Sequence, residues 1–212
     1  QSYAVTFGGG VYLTNAASFT MSGGAIQACE AKYHDGGGVY IGDGCTFIME
    51  GGAIDSCKSS SGSAGGVYAA GTFIMSGGEI RSCHTEDGTP ADGGGVYVAS
   101  SGMFEMSGGS IEGCCAWING GGVYVNTNGT FKMSGGTIRN NRLNEAWGGE
   151  GAGVYVADGA NATLITSNIT GNTKTGGKEE NITAPGGYKE YEPPVAPVDP
   201  DYPLISILPA LT

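Results

Sequence analysis

The chain has 212 residues, of which 42 are glycine and only 14% are charged, and its formal net charge is −11. Nine Lys and Arg scattered over that length form no basic stripe to neutralise phosphates, so nucleic acid is excluded as a partner, and the negative balance opposes anionic membranes. No apolar run approaches the ~20 residues of a membrane span, and the glycines come as doublets and triplets rather than at every third position. Neither membrane insertion nor a collagen helix is expected.

From the N-terminus the same elements recur. A Gly pair or triplet followed by Val-Tyr stands at Gly8–Tyr12, Gly36–Tyr40, Gly65–Tyr68, Gly93–Tyr97 and Gly120–Tyr124, with a relaxed copy at Gly151–Tyr155 that contains Ala152. From Val11 through Val39, Val67, Val96 and Val123 to Val154 the steps are 28, 28, 29, 27 and 31 residues. A second signature, Phe-x-Met-Ser/Glu-Gly-Gly-x-Ile, keeps the same beat from Phe19, Phe47, Phe73, Phe104 and Phe131, and a worn copy reads from Thr163 through Ile165 to Ile169. Each period therefore predicts three short strands. The first is Val-Tyr-Val, the second carries Phe and Met two residues apart, and the third centres on Ile26, Ile54, Ile80, Ile111 or Ile138. Strands this short are unstable alone, and glycines fall where corners belong. The expected fold is all-β: a right-handed, single-stranded parallel β-helix, a solenoid of about six coils of ~28 residues, with rungs ~4.8 Å apart. A leucine-rich repeat has a similar period, but only six Leu occur in the whole chain.

Stacking turns repeat positions into columns. Phe19, Phe47, Phe73, Phe104 and Phe131, with Met21, Met49, Met75, Met106 and Met133, are expected inside, while Thr20, Ile48, Ile74, Glu105 and Lys132 between them face solvent. Cys29, Cys57, Cys83 and Cys114 share one slot that Asn141 and Asn172 fill in later coils. These thiols are expected either as buried small hydrophobes or as Cys29–Cys57 and Cys83–Cys114 bridges, since adjacent rungs lie within disulfide reach. Four residues before each Val stand Asp35, Ser63, Asp92, Asn119 and Glu150, a column suited to side-chain turns that close a corner or to calcium. Trp117 and Trp147 fall in variable loops before that corner.

Beyond the repeats the composition changes: seven of eight prolines lie past residue 184. The organisation expected is a solenoid over residues 1–176, an acidic Pro-rich linker over 177–201, and an apolar terminal segment over 202–212 that docks on the solenoid.

The pairing of Ile-x-x-Asn, as at Ile138–Asn141, with a following Gly-Gly-x-Val-Tyr resembles the repeats of polymorphic outer-membrane-protein-type adhesins. The fuller unit at Gly120–Ile138 is similar to repeats in large surface proteins of anaerobic gut Gram-positive bacteria. Both resemblances imply a secreted or cell-surface, adhesin-like or display scaffold, with a glycan or host surface protein as partner. A polysaccharide lyase or hydrolase is the rival, but such chemistry needs paired carboxylates or a calcium cluster. The repeat strands offer mixed charges instead, such as Asp55 with Arg81 and Glu112 with Arg139. No catalytic residue, metal site or cofactor is expected. The candidate binding residues are Tyr12, Tyr40, Tyr68, Tyr97, Tyr124 and Tyr155. Each follows an inward Val and precedes another apolar residue, so alternation points all six outward in one column, as a structural ladder or a recognition strip.

Overall fold

A computed structural model of the chain describes residues 2–4, 7–86, 91–144 and 148–194. Among them are only two helical turns, the short 3-10 segments Thr166–Asn168 and Thr175–Gly177. The segment 202–212 expected to dock, and Trp147, lie outside the described residues.

Four sheets run the length of the rod, not three. The tyrosine sheet stacks Val11–Leu13, Val39–Ile41, Val67–Ala69, Val96–Val98, Val123–Val125 and Val154–Val156. The Phe–Met sheet stacks Ser18–Met21, Thr46–Met49, Thr72–Met75, Met103–Met106, Thr130–Met133 and Asn161–Leu164. The Ile sheet runs from Ala25–Gln27 to Ile169–Thr170. The strand missed by the three-strand reading follows the Cys slot, as in Cys29–Ala31, Lys58–Ser59, His84–Thr85, Cys115–Ala116 and Arg142–Leu143. Every pairing along these stacks is parallel and in register, Phe opposite Phe and Tyr opposite Tyr. The one exception is the antiparallel pair Thr173–Lys174 with Lys178–Glu179 at the C-terminal end.

The fourth strand escapes notice because one residue makes the bend before it. Ala28, Ser56, Ser82 and Asn140 each adopt a φ between 50° and 55°, turning the chain without a loop and without glycine. The glycine corner ahead of the tyrosines has the opposite logic. A Cβ on Gly37 would lie 2.3 Å from the carbonyl oxygen of Gly65 on the next rung, so two backbones meet where only glycine fits.

The interior is columnar. Phe47, Phe73, Phe104 and Phe131 are fully buried, and Phe104 stacks on both neighbours at 4.7 Å between ring centroids. The Met column and the Val and Ile columns fill the remainder. Three expectations need correction here. Phe19 is 39% exposed, because the Phe–Met sheet begins with its own strand and no described rung covers it. In the last coil Ala162 pairs with Phe131 and Thr163 with Lys132, so the inward residues are Ala162 and Leu164, one position away from the worn copy read in the sequence. The pairing also continues past residue 176. Ile182–Thr183 extends the tyrosine sheet and Lys189–Glu190 the Phe–Met sheet, so much of the stretch expected as linker adds strands to the solenoid.

Candidate functional site: the tyrosine ladder

Strand alternation builds the ladder. In Val96–Val98 both valines are buried and Tyr97 stands outward, and the same pattern holds in the strands of Tyr40, Tyr68, Tyr124 and Tyr155. Parallel in-register pairing then sets one ring over the next. Centroids lie 5.0 Å apart for Tyr40–Tyr68 and Tyr68–Tyr97, 4.9 Å for Tyr97–Tyr124 and 5.2 Å for Tyr124–Tyr155, with rings inclined by 3° to 14°. Tyr12 tilts away by 56° and is the one tyrosine of the six that is largely exposed. At that end the ring of Phe7 packs within 4.5 Å of both Tyr40 and His34.

The structure thus brings all six predicted residues into one continuous strip. It also changes what the strip offers. Ring faces from Tyr40 to Tyr155 are committed to each other, so a sugar cannot lie flat on them; ring edges and hydroxyls are what a partner meets.

Electrostatics reinforce this. Burial pushes the hydroxyls of Tyr68 and Tyr124 up to about 12, helped by Asp35 and Asp92 respectively. Burial also raises Tyr40, Tyr97 and Tyr155, with Asp43 acting on Tyr40 and Glu150 on Tyr155. The row is therefore one of neutral hydroxyls in a negative field.

The acidic corner column flanks the ladder but does not act as the sequence suggested. Asp35 accepts a hydrogen bond from the backbone N–H of Ser63 at 2.7 Å, and Asp92 from that of Asn119 at 2.9 Å. Asn119 in turn accepts from the N–H of Glu150 at 2.9 Å. Each side chain thereby pins the next rung instead of closing its own corner. Burial raises the carboxyls of Asp35 and Asp92. Among the described residues no group of three or more His, Cys, Asp or Glu could hold a metal ion.

The column of Cys and Asn lies inside. Cys57, Cys83 and Cys114 are buried, and no disulfide joins the cysteines. Trp117 is buried too, its indole N–H without an acceptor among the described residues. On the outer face of the Ile sheet, Arg81 holds Asp55 at 3.0 Å and Arg139 holds Glu112 at 2.8 Å, as the charge pattern predicted.

Short strands stacked in register around a buried column, with one coil per rung, define a right-handed parallel β-helix. The chain belongs to the right handed beta helix region family, whose model matches residues 9–181. No curated protein and no solved structure matches it significantly.

Proposed function

We propose that this chain is a non-enzymatic, secreted or cell-surface repeat scaffold of adhesin-like type, which meets its partner along the tyrosine ladder. The observation that carries the reading is the continuity of the strip: one tyrosine from every coil, its hydroxyl outward, over the length of the rod. A row of neutral hydroxyls suits a partner that hydrogen-bonds, and the carboxylates beside it oppose polyanions. A neutral glycan chain or a protein surface meets both conditions. Two outward acids of the Ile sheet, Asp55 and Glu112, are held by arginines rather than left free for a hydrolase's chemistry.

The test replaces Tyr68, Tyr97 and Tyr124 together by Thr, which keeps β-propensity. Binding to neutral glycans or to cell surfaces is expected to be lost while the all-β circular dichroism spectrum persists. Unchanged binding by the folded variant would defeat the proposal. So would turnover of pectin, alginate, xylan or glycosaminoglycan that vanishes when an outward carboxylate is removed.

A further inference from the structure

On the outer face of the Phe–Met sheet, away from the ladder, the last rungs bring two lysines into one column. Lys132 pairs in register with Thr163, and Thr163 with Lys189. The lysines therefore stand two rungs apart, about 9.6 Å between Cα atoms, with Thr163 between them. In the column beside them Thr130 pairs with the exposed Asn161. These residues and Tyr188, which is 45% exposed, line a concavity of about 390 Å³, within the range of small-molecule sites. A Cβ on Gly187 would meet nothing within 4 Å, so this side of the hollow is open.

The local charge runs against that of the chain, which carries −11 overall. Ion pairs among the described residues use Lys58, Arg81, Arg139 and Lys174, whereas Lys132 and Lys189 enter none of them. No carboxylate stands among the described residues that line the concavity. Glu105 lies one rung before Lys132 in the same column. Glu190, which follows Lys189, is turned to the N–H and the hydroxyl of Thr166 at 3.0 and 3.2 Å.

Such donors select among anions. A planar carboxylate is best met by an arginine fork, and no arginine lines the site; lysines act as point charges suited to a tetrahedral oxyanion. A phosphate monoester brings a charge of about −1.5 to −2 at neutral pH and three strong acceptor oxygens. Two ammonium groups, a hydroxyl and a carboxamide match both. Each lysine stem is longer than one rung, so both ammonium groups reach the space over Thr163.

We propose that Lys132, Asn161, Thr163 and Lys189 bind the phosphate monoester of a sugar phosphate, whose ring rests against Tyr188. The lysines close on the phosphate from both directions along the rod, while the Thr163 hydroxyl and the Asn161 amide donate to its remaining oxygens. The aromatic ring supplies apolar contact to the sugar. A sulfate ester has the same shape but the smaller charge, and a sugar without phosphate lacks the group that the site holds. This site lies on a different sheet from the tyrosine ladder and does not depend on what the ladder binds.

The experiment titrates the full chain with glucose 6-phosphate, glucose 6-sulfate, inorganic phosphate and glucose, and follows the backbone amide resonances of 161–164 and 187–190 by NMR. Saturable shifts are expected with glucose 6-phosphate, binding about tenfold weaker with the sulfate, and no shift with glucose. Lys132→Gln and Lys189→Gln should each weaken glucose 6-phosphate about tenfold, Lys178→Gln on another sheet by less than about twofold, and Glu105→Gln should strengthen it about twofold. Tyr188→Ala should weaken glucose 6-phosphate and leave inorganic phosphate unchanged. The lysines replaced are all exposed, and the titration of the unmodified chain stands apart from any effect of substitution on folding. No saturable shift with glucose 6-phosphate, equal affinity for the sulfate, a loss in Lys178→Gln as large as in Lys132→Gln, or a Tyr188→Ala variant that loses inorganic phosphate as well would each overturn the site.

Discussion

From Cys29 to Cys114 one interior slot holds a thiol, and at Asn141 and Asn172 the same slot holds a carboxamide. Both groups serve the carbonyl of the Ile three residues before the slot on the previous coil. Cys57, Cys83 and Cys114 donate S–H to Ile26, Ile54 and Ile80 at 3.5, 3.6 and 3.8 Å, while Asn141 and Asn172 donate Nδ2–H to Ile111 and Ile138 at 3.1 Å. Contact with Cys83 and burial push the Cys57 thiol far up, and burial does the same at Cys83, so both stay protonated donors. The amides do more. Oδ1 of Asn172 accepts both the backbone N–H and the Nδ2–H of Asn141 at 3.0 Å, and Asn181 repeats this for Asn172 at 3.1 and 2.9 Å. The thiol half thus rests on apolar columns, with the stacked Phe rings beside it. Where the Phe column ends at Ala162, a chain of amide hydrogen bonds takes over. The slot requires a donor; how much else it supplies depends on what the neighbouring columns provide.

That division can be broken in order of size. Phe73→Ala, in the thiol half, should cost about 3–5 kcal/mol of unfolding free energy, because a fully buried ring is lost from between two others. Phe19→Ala, at the exposed end of the same column, should cost well under half of that by denaturant titration. Equal losses at the two positions would mean that the column does not act by burial.

Next in size, Asn141→Ala should cost about 3 kcal/mol, since the backbone N–H of Cys114 and the carbonyl of Ile111 both lose a buried partner. Cys83→Ala removes a small apolar group and a weak donor, and about 1–2 kcal/mol is expected. The reverse order in thermal melts would refute the contrast between the halves.

The smallest effect concerns the single-residue bends. Ser82 and Asn140 hold φ of 53° and 55° at equivalent corners, one in each half. Left-handed backbone costs an ordinary residue roughly 1–2 kcal/mol and Asn less, so Ser82→Gly should stabilise by about 0.5–1 kcal/mol. Asn140→Gly should gain nothing, because its Nδ2 also donates to Glu112 at 3.0 Å.

These bends also show what was legible in the sequence and what was not. Glycine pairs and the Phe-x-Met beat announce coil length, columns and inward faces, because sterically forced corners and period-2 burial leave fixed marks on residue type. The fourth strand left no such mark. Its entry residue is Ala, Ser, Gly or Asn, and its two or three residues are too few for an alternation to show. The last coil was misread by one position because Ala162 replaces Phe and Thr163 looks like a strand residue. The strip of tyrosines was legible as an outward column, but the closeness of the rings, which takes their faces out of play, follows from in-register stacking and is a fact of three dimensions.

The outward column of the Ile sheet reads Gln27, Asp55, Arg81, Glu112, Arg139 and Thr170, one per coil. Its alternating signs matter most while the chain is still folding. Identical coils invite a miscount, since a chain that loops out one coil still lays Phe on Phe and Ile on Ile. Such a skip over the Arg81 coil would set Asp55 directly against Glu112, and a skip over the Glu112 coil would set Arg81 against Arg139. Like charges facing across adjacent strands are unfavourable, whereas the correct sequence gives attraction at Asp55–Arg81 and Glu112–Arg139. The column works as a parity check, by which a repetitive molecule keeps count of its own turns.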